Sequence, residues 1–111
     1  MTALPGWLPR RVLVRGPSMS PTLADGDVVL ARLGARARPG MVVLVRWDAR
    51  PEQLSVKRAR TRLPDGTWHV LGDNSYGSTD SRALGPARVV GTVPVRLWPR
   101  PQRLRAGQPR G

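Results

Sequence analysis

The stretch Val12-Leu13-Val14-Arg15-Gly16-Pro17-Ser18-Met19-Ser20-Pro21-Thr22-Leu23-Ala24-Asp25-Gly26-Asp27-Val28-Val29-Leu30 decides how the rest of the chain is read. Apolar, β-branched residues at both ends mark short strands, and the middle is made of turn formers. Pro17 and Pro21 fix φ around the Ser18 segment, the residue before each proline is pushed out of the helical region, and Gly16 permits a tight backbone approach. Ser18 is therefore expected on a rigid, extended backbone. Rigidity of that kind is what a serine hydroxyl needs to be aimed at a carbonyl carbon, although the same letters also spell an ordinary loop rich in Pro, Ser and Thr.

Outward from this stretch, strand signals recur at short intervals. Val28 to Arg32 reads as a second strand, Arg36 to Gly40 as a basic loop, and Met41 to Trp47 as the strongest strand by β-branched content. After a polar turn from Asp48 to Glu52, Leu54 to Arg60 alternates in character, placing Lys57 on the face opposite Val56. Pro64-Asp65-Gly66 reads as a hairpin turn into Thr67 to Leu71. Gly72-Asp73-Asn74 ends that strand and opens a polar loop through Arg82; Ala87 to Leu97 returns to strand, with a bulge expected at Gly91 and an edge or break at Pro94. No segment sustains a 3.6-residue apolar period and no internal repeat is present, so the fold is expected to be mainly β, with several short antiparallel strands and about one turn of helix. Four tryptophans and no phenylalanine leave a core of valine and leucine.

A chain of 111 residues makes one domain. Cysteine is absent, which excludes disulfides and zinc thiolate sites, and a single histidine, His69, argues against a protein-only metal site; no cofactor is expected. The lack of cysteine fits the cytoplasm. No apolar run approaches the roughly 20 residues of a membrane-spanning helix. Residues 1–11 read as an N-terminal arm: apolar, broken by Pro5, Gly6 and Pro9, with Arg10 and Arg11 after the apolar part rather than before it, unlike a secretory signal peptide. Trp7 and Leu8 offer a weak peripheral membrane contact. Residues 100–111, rich in Pro, Gly, Gln and Arg, read as a basic disordered tail, leaving 12–99 as the folded unit.

The formal charge of +12 invites a nucleic-acid reading, but it is concentrated at the ends. Residues 1–17 hold three arginines and residues 94–111 five, neither with an acid, which leaves +4 for 18–93. No recognition helix or interleaved aromatics accompany the tail. The identity of the basic residues says more: 18 of 19 are arginine, and Lys57 is the lone lysine. Arginine stays protonated in proteins, whereas a buried lysine can lose its proton and act as a base. Chance or a surface charge explains one lysine equally well.

Three separated pieces then coincide with one family. Ser18-Met19 with Pro21-Thr22-Leu23 and Gly26-Asp27, Lys57-Arg58 on a strand, and Gly72-Asp73-Asn74 followed by Ser78, Asp80, Ser81, Arg82 and Gly85 resemble the type I signal peptidases, in the same order and at similar intervals. The resemblance implies a Ser/Lys protease on the β-ribbon fold shared with the LexA-type self-cleaving repressors. It assigns Ser18 as nucleophile, Lys57 as general base, Ser78 as the hydroxyl that orients the lysine, and Asp80 with Arg82 as an ion pair near the site. Gly16 stands where many members carry a hydroxyl for the oxyanion hole. Met19, Asp73 and Asn74 are structural supports, the last two through an Asx turn. Within the family, the short length, the Ser78-Thr79-Asp80-Ser81-Arg82 run and the closing Leu97-Trp98-Pro99 are most similar to the unanchored members that trim the leader of nickel-type superoxide dismutase precursors. The partner implied is a precursor protein with an N-terminal leader.

Two other readings are open. A LexA-like self-cleaving protein is disfavoured because only 17 residues precede Ser18. A basic nucleic-acid-binding module would show steep salt dependence that survives Ser18→Ala. A Ser/His/Asp triad through His69 has no matching pattern around it.

Overall fold

Valine and leucine at positions 42 to 45 leave no polar alternate, and a strand without a polar face must be covered on both sides. The computed structural model, which describes residues 6–107, places that strand accordingly. Seven strands, β1 (Leu8–Leu13), β2 (Val28–Leu33), β3 (Val42–Arg46), β4 (Ser55–Arg62), β5 (Trp68–Leu71), β6 (Arg88–Trp98) and β7 (Gln102–Arg103), form one antiparallel sheet with a single helical turn, α1 (Ser81–Leu84). The order is β1-β2-β6-β3-β4-β5, with β7 added to β6. Mainly β with little helix, this is the expected class.

The pleat of β3 divides the core. Val42 and Leu44 enter one cluster with Val14, Met19, Leu23, Val29 and Val56; Val43 and Val45 enter a second with Trp47, Ala59, Trp68 and Val70. Alternation has the same result on β4, where Val56 serves the first cluster and Ala59 the second. Lys57, paired in register with Val43, therefore points to the side of the second cluster.

The hairpin at Pro64-Asp65-Gly66 forms as its turn chemistry dictates, with Leu63 N–H donating to Thr67 C=O at 2.8 Å, the Asp65 carboxylate accepting from Thr67 N–H, and Gly66 at φ +87°. The register of β6 against β3 shifts beside Gly91, whose missing Cβ would lie 2.5 Å from Arg32 C=O on β2. A second shift, against β2, falls where β6 carries Pro94. Pro94 thus sits in a central strand at an irregularity, the position where a residue without an N–H is tolerated.

Two ends depart from expectation. β1 begins at Leu8, inside the segment expected as an arm, and Trp7 lies under the Arg32 guanidinium at 5.1 Å. β7 lies inside the expected disordered tail, and the chain beyond it is fastened by Leu104 N–H to Pro94 C=O at 2.7 Å and Gly107 N–H to Gly40 C=O at 2.9 Å. Residues 1–5 and 108–111 lie outside the described residues. Among the described residues no helix is long and apolar enough to cross a membrane.

Candidate active site

The serine loop is closed at its base by two backbone bonds, Val14 N–H to Asp27 C=O and Gly26 N–H to Val14 C=O, both 2.8 Å. Inside it the chain turns: Ser20 N–H reaches Pro17 C=O at 3.0 Å and Leu23 N–H reaches Met19 C=O at 2.9 Å. Ser18 is thus in a turn, and the extended backbone expected from the flanking prolines is not adopted. Met19 and Leu23, one helical turn apart and fully buried, drive this side of the loop into the first core cluster. Ser18, half-buried, is left at the surface of a cleft. Gly16 takes φ +80°, and its N–H donates to the Asp25 carboxylate at 2.7 Å. A Cβ at Gly16 would meet nothing within 4 Å, so the glycine serves the backbone angle and not the close approach expected of it.

The loop from Gly72 to Ser78 clamps this turn from the other side. Asn74 donates its N–H to Ser18 C=O at 2.9 Å and its side-chain amide to Pro17 C=O at 3.1 Å, while its carboxamide oxygen accepts from Tyr76 N–H in an Asx turn. The Ser78 hydroxyl is shared between Ser18 C=O, 3.1 Å away, and Asn74 C=O. Its partners are therefore the backbone carbonyls of Ser18 and Asn74, whereas the family resemblance assigned it to Lys57. Gly72 is required by space: an added Cβ would stand 2.6 Å from Ser18 C=O and 2.0 Å from Ser78 Oγ.

Asp73 faces away from this clamp and meets Arg58. The pair is bidentate, 3.1 and 2.6 Å, with both side chains buried, and Thr22 Oγ1 donates to the same carboxylate at 2.5 Å. Arg58 Nη1 also donates to Gly40 C=O and Arg105 C=O at 3.0 Å each. One guanidinium so joins β4, the serine loop, the Gly40 turn and the C-terminal segment. Sequence reasoning quoted Arg58 beside Lys57 but gave it no role; an arginine one pleat from a buried lysine, with an aspartate ending the next strand, was the available signal.

On the opposite face of β4, Lys57 is 4% exposed. Burial pulls its ammonium below the ordinary lysine value, and the Asp80 carboxylate partly opposes this. None of the four ion pairs among the described residues includes Lys57. Leu54 and Val56 line the cleft beside Lys57, and Val43 of β3 is its cross-strand partner.

Asp80 is 1% exposed and ties the region to α1. It caps the helix through Arg82 N–H at 3.1 Å, accepts from Gly72 N–H at 2.9 Å, and pairs with Arg82 Nη2 at 3.0 Å. Burial pushes its carboxyl up, but these donors together hold it below the usual carboxylate range. Arg82 is half exposed, so the pair is anchored from the Asp80 side.

Ser18 and Lys57 line the same cleft of about 400 Å³, with Gly16, Pro17, Leu54 and Thr79. His69, on β5, is not part of it. Among the described residues no group of three His, Cys, Asp or Glu side chains could hold a metal. Hydroxyl, desolvated amine and a backbone clamp are the parts of acyl transfer without a cofactor.

The Peptidase S24-like family model matches residues 11–93. The chain is similar to the mitochondrial ATP-independent inner membrane protease subunit 1a of Arabidopsis thaliana, 35% identical over 78% of this chain and 68% of that protein. It is also similar to the mitochondrial inner membrane protease subunit 1 of Mus musculus, 28% identical over 79% and 69%, and of Homo sapiens, 27% identical over the same shares. A match across three quarters of the chain, with a fold of the expected class, makes this a peptidase belonging to the Peptidase S24-like family.

Proposed function

We propose that this peptidase is a Ser/Lys endopeptidase that removes an N-terminal leader from a precursor protein, nickel-type superoxide dismutase being the first candidate substrate. The observation that carries the reading is the convergence of Ser18 and the buried, deprotonation-prone Lys57 on one cleft. Ser18 Oγ attacks the scissile carbonyl carbon as Lys57 Nζ takes its proton; the tetrahedral intermediate collapses, the C–N bond breaks, and Lys57 protonates the leaving amine. Water then attacks the acyl ester, giving its proton to Lys57; the ester C–O bond breaks and Lys57 returns the proton to Ser18 Oγ. Ser18 N–H is one oxyanion donor. Gly16 N–H is occupied by Asp25 and Pro17 has none, so the second donor comes from outside the two residues preceding the nucleophile.

The nickel superoxide dismutase assignment draws on the sequence resemblance of the Ser78 to Arg82 run and of Leu97-Trp98-Pro99. The test is incubation with a leader-bearing precursor. Wild type is expected to yield the trimmed N-terminus, and Ser18→Ala, Lys57→Ala and Lys57→Arg to leave the precursor intact. Full cleavage by Lys57→Arg sinks the dyad, since arginine cannot accept a proton at neutral pH. An untouched precursor beside efficient cutting of other leaders removes that substrate and keeps the dyad.

A further inference from the structure

We propose that the cleft selects peptide segments bearing a carboxylate side chain close to the scissile bond, and that Arg15 and Arg50 do the selecting; this rests on the reading of the cleft as the peptidase site. The cleft lining contains Arg15, Arg50 and Lys57 but none of the chain's seven acidic residues. Six of those acids already have partners other than Arg15 and Arg50: Asp25 accepts from Gly16 N–H at the cleft rim, Asp65 from Thr67, and Asp27, Asp48, Asp73 and Asp80 pair with other arginines; Glu52, in the same turn as Arg50, does not line the cleft. The four ion pairs among the described residues leave Arg15 and Arg50 out.

The two come from separate segments onto one volume. Arg15 precedes Gly16 on the serine loop, and Arg50 sits in the β3–β4 turn, fixed by its N–H to Trp47 C=O at 2.9 Å and by Gln53 N–H to its own C=O at 3.1 Å. Both side chains are exposed, so a carboxylate can reach a guanidinium fork without displacing an existing partner. A concave site lined by charge of one sign focuses its field on whatever enters. The remaining lining, including Val12, Val14, Leu54 and Val56, accepts uncharged neighbours of that acid.

The experiment digests a proteome-derived peptide mixture with wild type, Arg15→Gln, Arg50→Gln, the double variant and Arg60→Gln, an exposed arginine of β4 outside the cleft, and maps the cuts by mass spectrometry. Asp and Glu are expected to be enriched at a fixed position within about three residues of the cut, with enrichment lost in the double variant and kept in Arg60→Gln. On matched peptides differing by Asp or Asn there, wild type should favour Asp about tenfold in kcat/KM, through KM, with kcat within about twofold. No enrichment in wild type, preference retained by the double variant, or equal loss in Arg60→Gln overturns the proposal, the last because it points to attraction by the whole surface. Absence of any cleavage strikes the catalytic reading alone. Selection is then read by fluorescence anisotropy, using Ser18→Ala protein and labelled octapeptides of Ala and Val with one central Asp or Asn. Equal affinities overturn it, and a preference for Asp that the double variant abolishes sustains it.

Discussion

Arg58 and Asp73 form a two-bond ion pair, 3.1 and 2.6 Å, whose side chains are 6% and 2% exposed. Such a pair is costly to bury and more costly to break, because removing one partner strands a desolvated charge. Asp73→Ala is expected to destabilise the protein by about 3–5 kcal/mol in urea unfolding. Peptidase activity should fall as well, since Thr22 on the serine loop loses its acceptor. A loss below about 1 kcal/mol would mean that the pair stays hydrated.

Gly72→Ala isolates the clamp on the Ser18 turn. Its Cβ would overlap Ser78 Oγ, which can move, and Ser18 C=O, which is backbone and cannot move without shifting the turn. Activity should drop by at least about tenfold, with a stability loss of about 1–3 kcal/mol, and the double variant Gly72→Ala/Ser78→Ala should not recover it. Recovery in the double variant would show that the hydroxyl was the sole obstacle. Gly16→Ala is the contrast: no clash, only the penalty of a positive φ, about 1 kcal/mol.

Lys57 sets the pH response. Its folded pKa lies below the unfolded value of about 10.4, so between the two the unfolded chain binds the extra proton and stability rises with pH. Lys57→Met should flatten that slope in unfolding measured at a series of pH values. The rate kcat/KM should rise with pH over the lower part of the same window, as the neutral amine becomes available. A falling rate across that range is incompatible with Lys57 as base.

Asp80 and Arg82 should be unequal partners. Asp80→Ala leaves the N–H groups of Gly72 and Arg82 without their acceptor, at about 1–3 kcal/mol each, whereas Arg82→Ala removes a half-exposed side chain and should cost less. The carboxyl is held below its ordinary value, so its contribution is present above the unfolded pKa near 3.9 and lost as pH falls through the folded one. Acid titrations of wild type and Asp80→Asn should converge below that point.

Local chemistry made most of the scaffold readable in the sequence. Proline, aspartate and glycine at 64–66 admit one kind of turn, and an apolar β3 with no polar alternate could only be a covered strand. What escaped were features fixed by distant partners. The C-terminal segment has the composition of a loose tail, yet β7 is held by β6, Arg105 by Arg58 and Gly107 by Gly40. The Ser18 backbone turns because Met19 and Leu23 are pulled together into the core, a pull that neither flanking proline announces. The cleft pair of Ser18 and Lys57 was suggested by the order of three motifs, while the Arg58–Asp73 tie was invisible without knowing which pleat faces which loop.

The C-terminal fastening of Arg58 has a temporal meaning. Asn74 and Arg105, the partners that fix the serine turn and the neighbour of Lys57, lie 56 residues beyond Ser18 and 47 beyond Arg58. Contacts so far apart in sequence close late in folding, after the loop entropy between them has been overcome. The Ser18 turn and the Arg58 tie are therefore expected among the last features to form when the protein refolds.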